Sequence, residues 1–166
     1  IAMETLRKKG RVSSSRSKVD TTNYNYLLED RTILGSSSTD GQQNGAVVGI
    51  DSIGNVFLAW QDANRDGNRL GVFGRQFDEN GMALDDDFQV NTLTSGDQDG
   101  IALAMNDKGE AMAVWMSGVN NKEIQGQAFD SNGTKDGAYF RLGSGDLGFD
   151  PDVDLNDEGQ AIVAWE

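Results

Sequence analysis

The chain has 166 residues, with 14 Lys and Arg against 27 Asp and Glu, a formal net charge of −13 and a pI near 4.2. That balance argues against nucleic acid, which rewards basic surfaces, and against anionic membranes. Cysteine and histidine are both absent, which excludes a disulfide framework, thiolate metal sites, the usual zinc ligand and a Ser-His-Asp triad.

No apolar run approaches the roughly 18 residues that a membrane span needs. The first residue is Ile1, and Glu166 follows Trp165 in the middle of a repeat. Both observations suggest a processed product or a piece of something longer.

Residues 1–18 carry Arg7, Lys8, Lys9, Arg11, Arg16 and Lys18 against Glu4 alone, a net charge of +5, so the remainder stands at −18. With Ser13-Ser14-Ser15 and no apolar periodicity, residues 1–22 read as a flexible or extended basic arm, suited to an acidic neighbour. Residues 23–166 form the repeat region. Asn23 to Leu28 and Arg31 to Gly35 are predicted to pair as an outer half-unit, about 23–36.

Three segments then align: Ile50 to Trp60, Met105 to Trp115 and Leu155 to Trp165. Each has Asp or Asn, two residues, Gly, and six further positions to Trp. The turn glycines are Gly54, Gly109 and Gly159, and they supply the positive φ of a tight hairpin. The strands after the turns, such as Val56-Phe57-Leu58-Ala59-Trp60, lack polar alternation and read as buried on both faces. Second hairpins follow at Phe77-Asp78-Glu79-Asn80-Gly81 and Phe129-Asp130-Ser131-Asn132-Gly133. Phe77 to Phe88 and Phe129 to Phe140 have the same spacing.

Each unit is thus four short antiparallel strands in about 50 residues, the size of a propeller blade. The expected fold class is all-β, with antiparallel four-stranded blades of a β-propeller or propeller-like array. Complete blades lie at about 45–92 and 101–143, and an inner half-blade at about 149–166. The two half-blades would complete one blade together. A long sandwich of uniform hairpins is the alternative.

At these residues the chain resembles repeats of large secreted and cell-surface bacterial proteins. The motifs are Asp51 to Trp60, Phe77 to Gly81 and Phe88-Gln89-Val90-Asn91-Thr92. The Gly54-Asn55-Val56 turn is similar to that of NHL-type propeller repeats. The resemblance implies a propeller-type architecture and leaves function open. The next unit departs from it, with Phe140-Arg141-Leu142-Gly143 in place of Phe-Gln-Val-Asn.

Asp62-Ala63-Asn64-Arg65-Asp66-Gly67 matches the start of a calcium loop, so Asp62, Asn64 and Asp66 are candidate ligands and calcium a candidate cofactor. The acidic clusters Asp85-Asp86-Asp87 and Asp150-Pro151-Asp152-Val153-Asp154 read as exposed turns and strand edges. Trp60, Trp115 and Trp165, with Phe77 and Phe129, read as core positions between blades.

Together these features predict a non-enzymatic extracellular or cell-surface repeat module for assembly or adhesion, such as a fibre or sheath subunit or an adhesin segment. The partners expected are other copies of the chain or the rest of a longer one, with glycans as a further partner, and neither nucleic acid nor membrane insertion. A glycan-binding oligomeric propeller is the second reading. A carboxylate-dependent glycoside hydrolase fragment is the third.

Overall fold

The structure, a computed structural model, describes residues 2–8, 26–38, 40–119, 122–143 and 150–166; for 2–8 and 26–34 the description is of the backbone. The described residues are all β, with no helix. None of them forms a helix long and apolar enough to cross a membrane.

The strands are β1 Ala2–Lys8, β2 Tyr26–Leu34, β3 Gln43–Ile50, β4 Val56–Ala63, β5 Leu70–Phe77, β6 Phe88–Gln89, β7 Asp97–Met105, β8 Ala111–Gly118, β9 Glu123–Phe129, β10 Lys135–Leu142, β11 Asp152–Leu155 and β12 Ala161–Ala164. They make two four-stranded antiparallel sheets in chain order, β3-β4-β5-β6 and β7-β8-β9-β10. Two-stranded sheets, β1-β2 and β11-β12, complete the set.

At the N-terminus the structure differs from the sequence expectation. Residues 2–8 of the expected arm form β1, and its partner is β2. Residues 26–34 form one continuous strand, not a hairpin of 23–28 with 31–35. The only residues available for that turn, Glu29 and Asp30, lack the Asn or Gly that a two-residue hairpin turn requires. Residues 9–25 of the arm lie outside the described residues. Among the described residues, the half-units at the two ends of the chain do not pair with each other.

The central sheets stack face to face because their strands are apolar on both sides. In β4, every residue from Val56 to Asp62 is buried. Phe57, Ala59, Val72 and Val90 of the first sheet meet Ile101, Ala111, Ala113, Trp115 and Phe129 of the second. Phe129 stands edge-on to Phe57, with ring centroids 5.0 Å apart, and also touches Phe88 at 5.9 Å. The far face of the second sheet, with Val114, Met116 and Ile124, packs against Val153 of β11.

Polar turns clip the sheets together along one end. Asp51 accepts hydrogen bonds from the backbone N–H groups of Ile53, Gly54 and Asn55. Asn106 and Asn156 accept equivalent bonds in their own turns. Each turn also reaches the next. Ser52 donates its N–H and hydroxyl to the Asp107 carbonyl, and Asn106 Nδ2 donates to the Asn156 carbonyl. Gly54, Gly109 and Gly159 hold φ of 101°, 87° and 76°, where a side chain would be strained.

Truncating the ring that joins the sheets should be costly. Phe129→Ala is expected to lower unfolding stability by about 3–5 kcal/mol. Urea denaturation should show this as a lower midpoint at an unchanged slope.

Candidate functional site

The end of the stack opposite these turns carries the connections between neighbouring sheets and the β4–β5 and β8–β9 loops. Its geometry follows from a repeated local device. Gln43 and Gln98 occupy the same position relative to their turns, and each is followed two residues later by a glycine. Gly45 and Gly100 both have φ of 59°, and a register shift falls at each. A residue with a Cβ at Gly100 would lie 2.4 Å from Met116 Cε. The bulge turns the glutamine inward. Gln43 Nε2 donates to the Ser38 carbonyl, and Gln98 Nε2 to the carbonyls of Ser95 and Gly96.

Asn91 completes the second connection. It is buried, accepts from the Val72 N–H, and donates to the Leu93 carbonyl and Gln98 Oε1. Residues 92–95 are thereby fixed over the second sheet.

Beneath them lies an open pocket of about 520 Å³, lined by Thr92, Leu93, Thr94, Ser95, Ser117, Gly118, Glu123 and Gln125. The volume is within the range typical of ligand sites. Ser117 pairs with Glu123, and Trp115 with Gln125, so these four side chains share one face of the sheet. Gln125 is 1% exposed; its Nε2 donates to Glu123 Oε1 at 2.6 Å, while its Oε1 has no partner among the described residues. Arg141 Nε lies 3.4 Å from Glu123 Oε1 and offsets its charge. What remains is a neutral acceptor surrounded by hydroxyls. A buried acceptor left without a donor costs about 1–3 kcal/mol unless a ligand or water supplies one.

The equivalent place in the first sheet is filled from within. Asp62 and Phe73 stand where the second sheet has Ser117 and Gln125. Arg65, from the longer β4–β5 loop, lies 4.6 Å from the centre of the Phe73 ring. Its Nη1 is 3.4 Å from Asp62 Oδ2 and 2.9 Å from Asp87 Oδ2.

The sequence-derived calcium ligands have separate partners here. Asp62 is buried against Arg65 and Gln43, with its Oδ1 unpaired. Asn64 is in the left-handed region with φ of 62°. Asp66 accepts from the Asn68 N–H and from Asn91 Nδ2. Among the described residues, no group of three or more acidic side chains converges as a metal cage would.

The side chain of Asp87, expected in an exposed turn, is instead fully buried. Burial alone would raise its pKa. The N–H of Ser37, the Arg65 guanidinium and the hydroxyls of Ser37 and Ser36 outweigh that effect and hold it below the ordinary carboxylate value. Asp152 and Asp154 are exposed, with Val153 buried between them.

Trp60 and Trp115 are completely buried, leaving no ring face free to stack on a sugar, whereas Trp165 is 40% exposed. Phe77 and Phe129 are buried. The pocket itself escaped sequence reading, although its signals were present: Asn91 inside the Phe-Gln-Val-Asn-Thr motif, the recurring Gln-x-Gly, and the differing lengths of the two loops.

No family model matches the chain, and no curated protein matches it. Among solved structures, it is similar to an endo-arabinase from Bacteroides thetaiotaomicron, with a TM-score of 0.51 and 14% sequence identity. The likeness covers 84% of this chain, which spans about 56% of the endo-arabinase's length. It corrects the expectation that the chain is not an enzyme: the missing histidine and scattered acids argued against catalysis, yet the fold is one on which an enzyme is built.

The buried Asp87 sets an acid limit. A carboxyl with a depressed folded-state pKa stabilises the protein above its unfolded pKa, and the contribution disappears as pH falls through the folded value. Stability should therefore fall below about pH 4. In Asp87→Asn, thermal melts across pH should show lower stability at neutral pH and a shallower acid decline.

Proposed function

We propose that the chain is a run of β-propeller blades from a secreted or cell-surface carbohydrate-active protein, and that the pocket on its second sheet holds a sugar unit of a polysaccharide. The observation that carries this reading is the unpaired, buried Gln125 Oε1 at the base of a pocket lined by Thr92, Thr94, Ser95 and Ser117. A sugar presents hydroxyls that donate and accept within a few ångströms of each other. Gln125 Oε1 takes a hydroxyl proton, the rotatable hydroxyls of the wall satisfy the remaining groups, and Leu93 covers the apolar face of a ring.

Charge supports the same class of ligand. Glu123 is already engaged by Gln125 Nε2 and Arg141, so the pocket has no strong attraction for a cation. The acidic body disfavours anionic ligands. The likeness to an endo-arabinase supports a polysaccharide over a small free metabolite and makes arabinan the first probe.

Titration calorimetry with arabinan and a panel of other neutral polysaccharides should detect binding. Gln125→Leu and Ser117→Ala are each expected to weaken it about tenfold, the loss of one buried hydrogen bond. Absence of binding across the panel, or binding that both variants retain at full strength, would remove the reading. Glu123 is the carboxylate that lines the pocket. Any release of reducing ends from arabinan should therefore vanish in Glu123→Gln while binding persists.

A further inference from the structure

We propose that the β4–β5 loop of the first sheet, residues 64–69, clamps the roof of the second sheet's pocket, with Asp66, Asn68 and Arg69 as positioning residues. The roof is the connection 92–95. This loop holds both of its ends. At one end, Asn91 Nδ2 donates to Asp66 Oδ2 at 3.2 Å. At the other, the Gly96 N–H donates to Asn68 Oδ1 at 3.3 Å, and Arg69 Nη1 lies 3.3 Å from Asp97 Oδ2. None of residues 64–69 lines the pocket itself. Their influence on it therefore passes through residues 91, 96 and 97.

The loop is shaped for this reach. Asn64, Gly67 and Arg69 lie in the left-handed region, with φ of 62°, 91° and 51°. Gly and Asn enter that region readily, whereas arginine seldom does and stays there only where its surroundings hold it. The Asn64 N–H, which donates to the Arg69 carbonyl, and the Asp97 carboxylate supply that hold. Within the loop, the Asn68 N–H donates to Asp66 Oδ1 at 3.0 Å, so one clamping side chain fixes the backbone of the other. β5 makes room for the arrangement. A Cβ at Gly71 would lie 2.7 Å from Asp66 Oδ2.

The roof has little slack at either end. Gly96 is buried, with φ of 88°, and a Cβ on it would stand 3.2 Å from the carbonyl carbon of Gly118. Gly118 is part of the pocket wall. Asn91 is buried too, and its Nδ2 holds the Leu93 carbonyl at 2.9 Å. A displaced loop would thus move Leu93 and Ser95 relative to Gln125. Order in the loop and order in the pocket are coupled, and a ligand that steadies one steadies the other.

Amide hydrogen exchange of the full chain, resolved by NMR, tests the clamp without any ligand. Two variants are compared: Asp66→Ala, and Gly71→Ala, which removes no hydrogen-bonding group. In both, the Gly96 amide is expected to exchange about tenfold faster, although Asn68 is intact. Amides of β8 should keep their rates. Unchanged exchange at Gly96 in both variants would overturn the proposal. So would equal acceleration throughout both sheets, since that is a loss of global stability. A second arm rests on the reading of the pocket as a sugar site. Calorimetry with arabinan should show binding weakened about tenfold in both variants. Saturating arabinan should slow exchange at the Asn68 amide of the unsubstituted chain. Full-strength binding by both variants would refute the clamp. If the unsubstituted chain itself binds no arabinan, the sugar reading fails and exchange at Gly96 alone decides the clamp.

Discussion

The inner strands of the two four-stranded sheets are apolar on both faces, and that constraint organises the rest. A sheet with one wet face can end a fold; a sheet with two dry faces must have a neighbour on each side. The central strands carry this most plainly, with Phe57 and Ala59 turned towards one neighbour and Leu58 and Trp60 towards the other. The aromatic trio Phe57, Phe88 and Phe129 then sets how the sheets meet. The Phe140 ring lies over Gly126, its partner across the strands, while Gly74, opposite Phe88, leaves room for Phe57 and Val90.

Stacking separates the two ends of the strands into different roles. One end is a chain of self-capped turns, each hydrogen-bonded to the next, and it fixes spacing. The other end is shaped by buried amides. Gln43, Asn91 and Gln98 satisfy backbone groups that the bulges and connections would otherwise leave unpaired. Polar residues in such positions define loop shape more sharply than apolar packing would, since each bond fixes a direction as well as a distance. The pocket on the second sheet inherits its rigidity from them.

Much of the architecture was legible because it repeats. The Asp/Asn-x-x-Gly turns, the two-faced apolar strands and the constant Phe-to-Phe spacing each appear at least twice, and repetition separates pattern from chance. The parts that occur once were harder to read. Nothing local distinguishes Asp87, a buried anion held by Arg65 and two serines about fifty positions earlier, from its exposed neighbours Asp85 and Asp86. The calcium-like loop shows the same limit: its spacing describes a wrap around one ion, and only the fold reveals that Arg65 within it reaches Asp62 and Asp87. The pocket depends on the connection between the sheets and on two strands of the second sheet, β8 and β9, and no short window of sequence contains all three.

The two loops that follow the buried tryptophans differ by only a few residues, and the longer one supplies the side chain that closes the first sheet's site. On the first sheet, the extra length carries an arginine that folds back over an aromatic ring and closes the space with its own charge. On the second, the described residues leave a pocket at the same place, above a glutamine. A scaffold arranged this way can gain or lose a ligand site through a short insertion in one hairpin, without disturbing a single core contact. Recognition can therefore vary from one repeat to the next while the framework beneath stays the same.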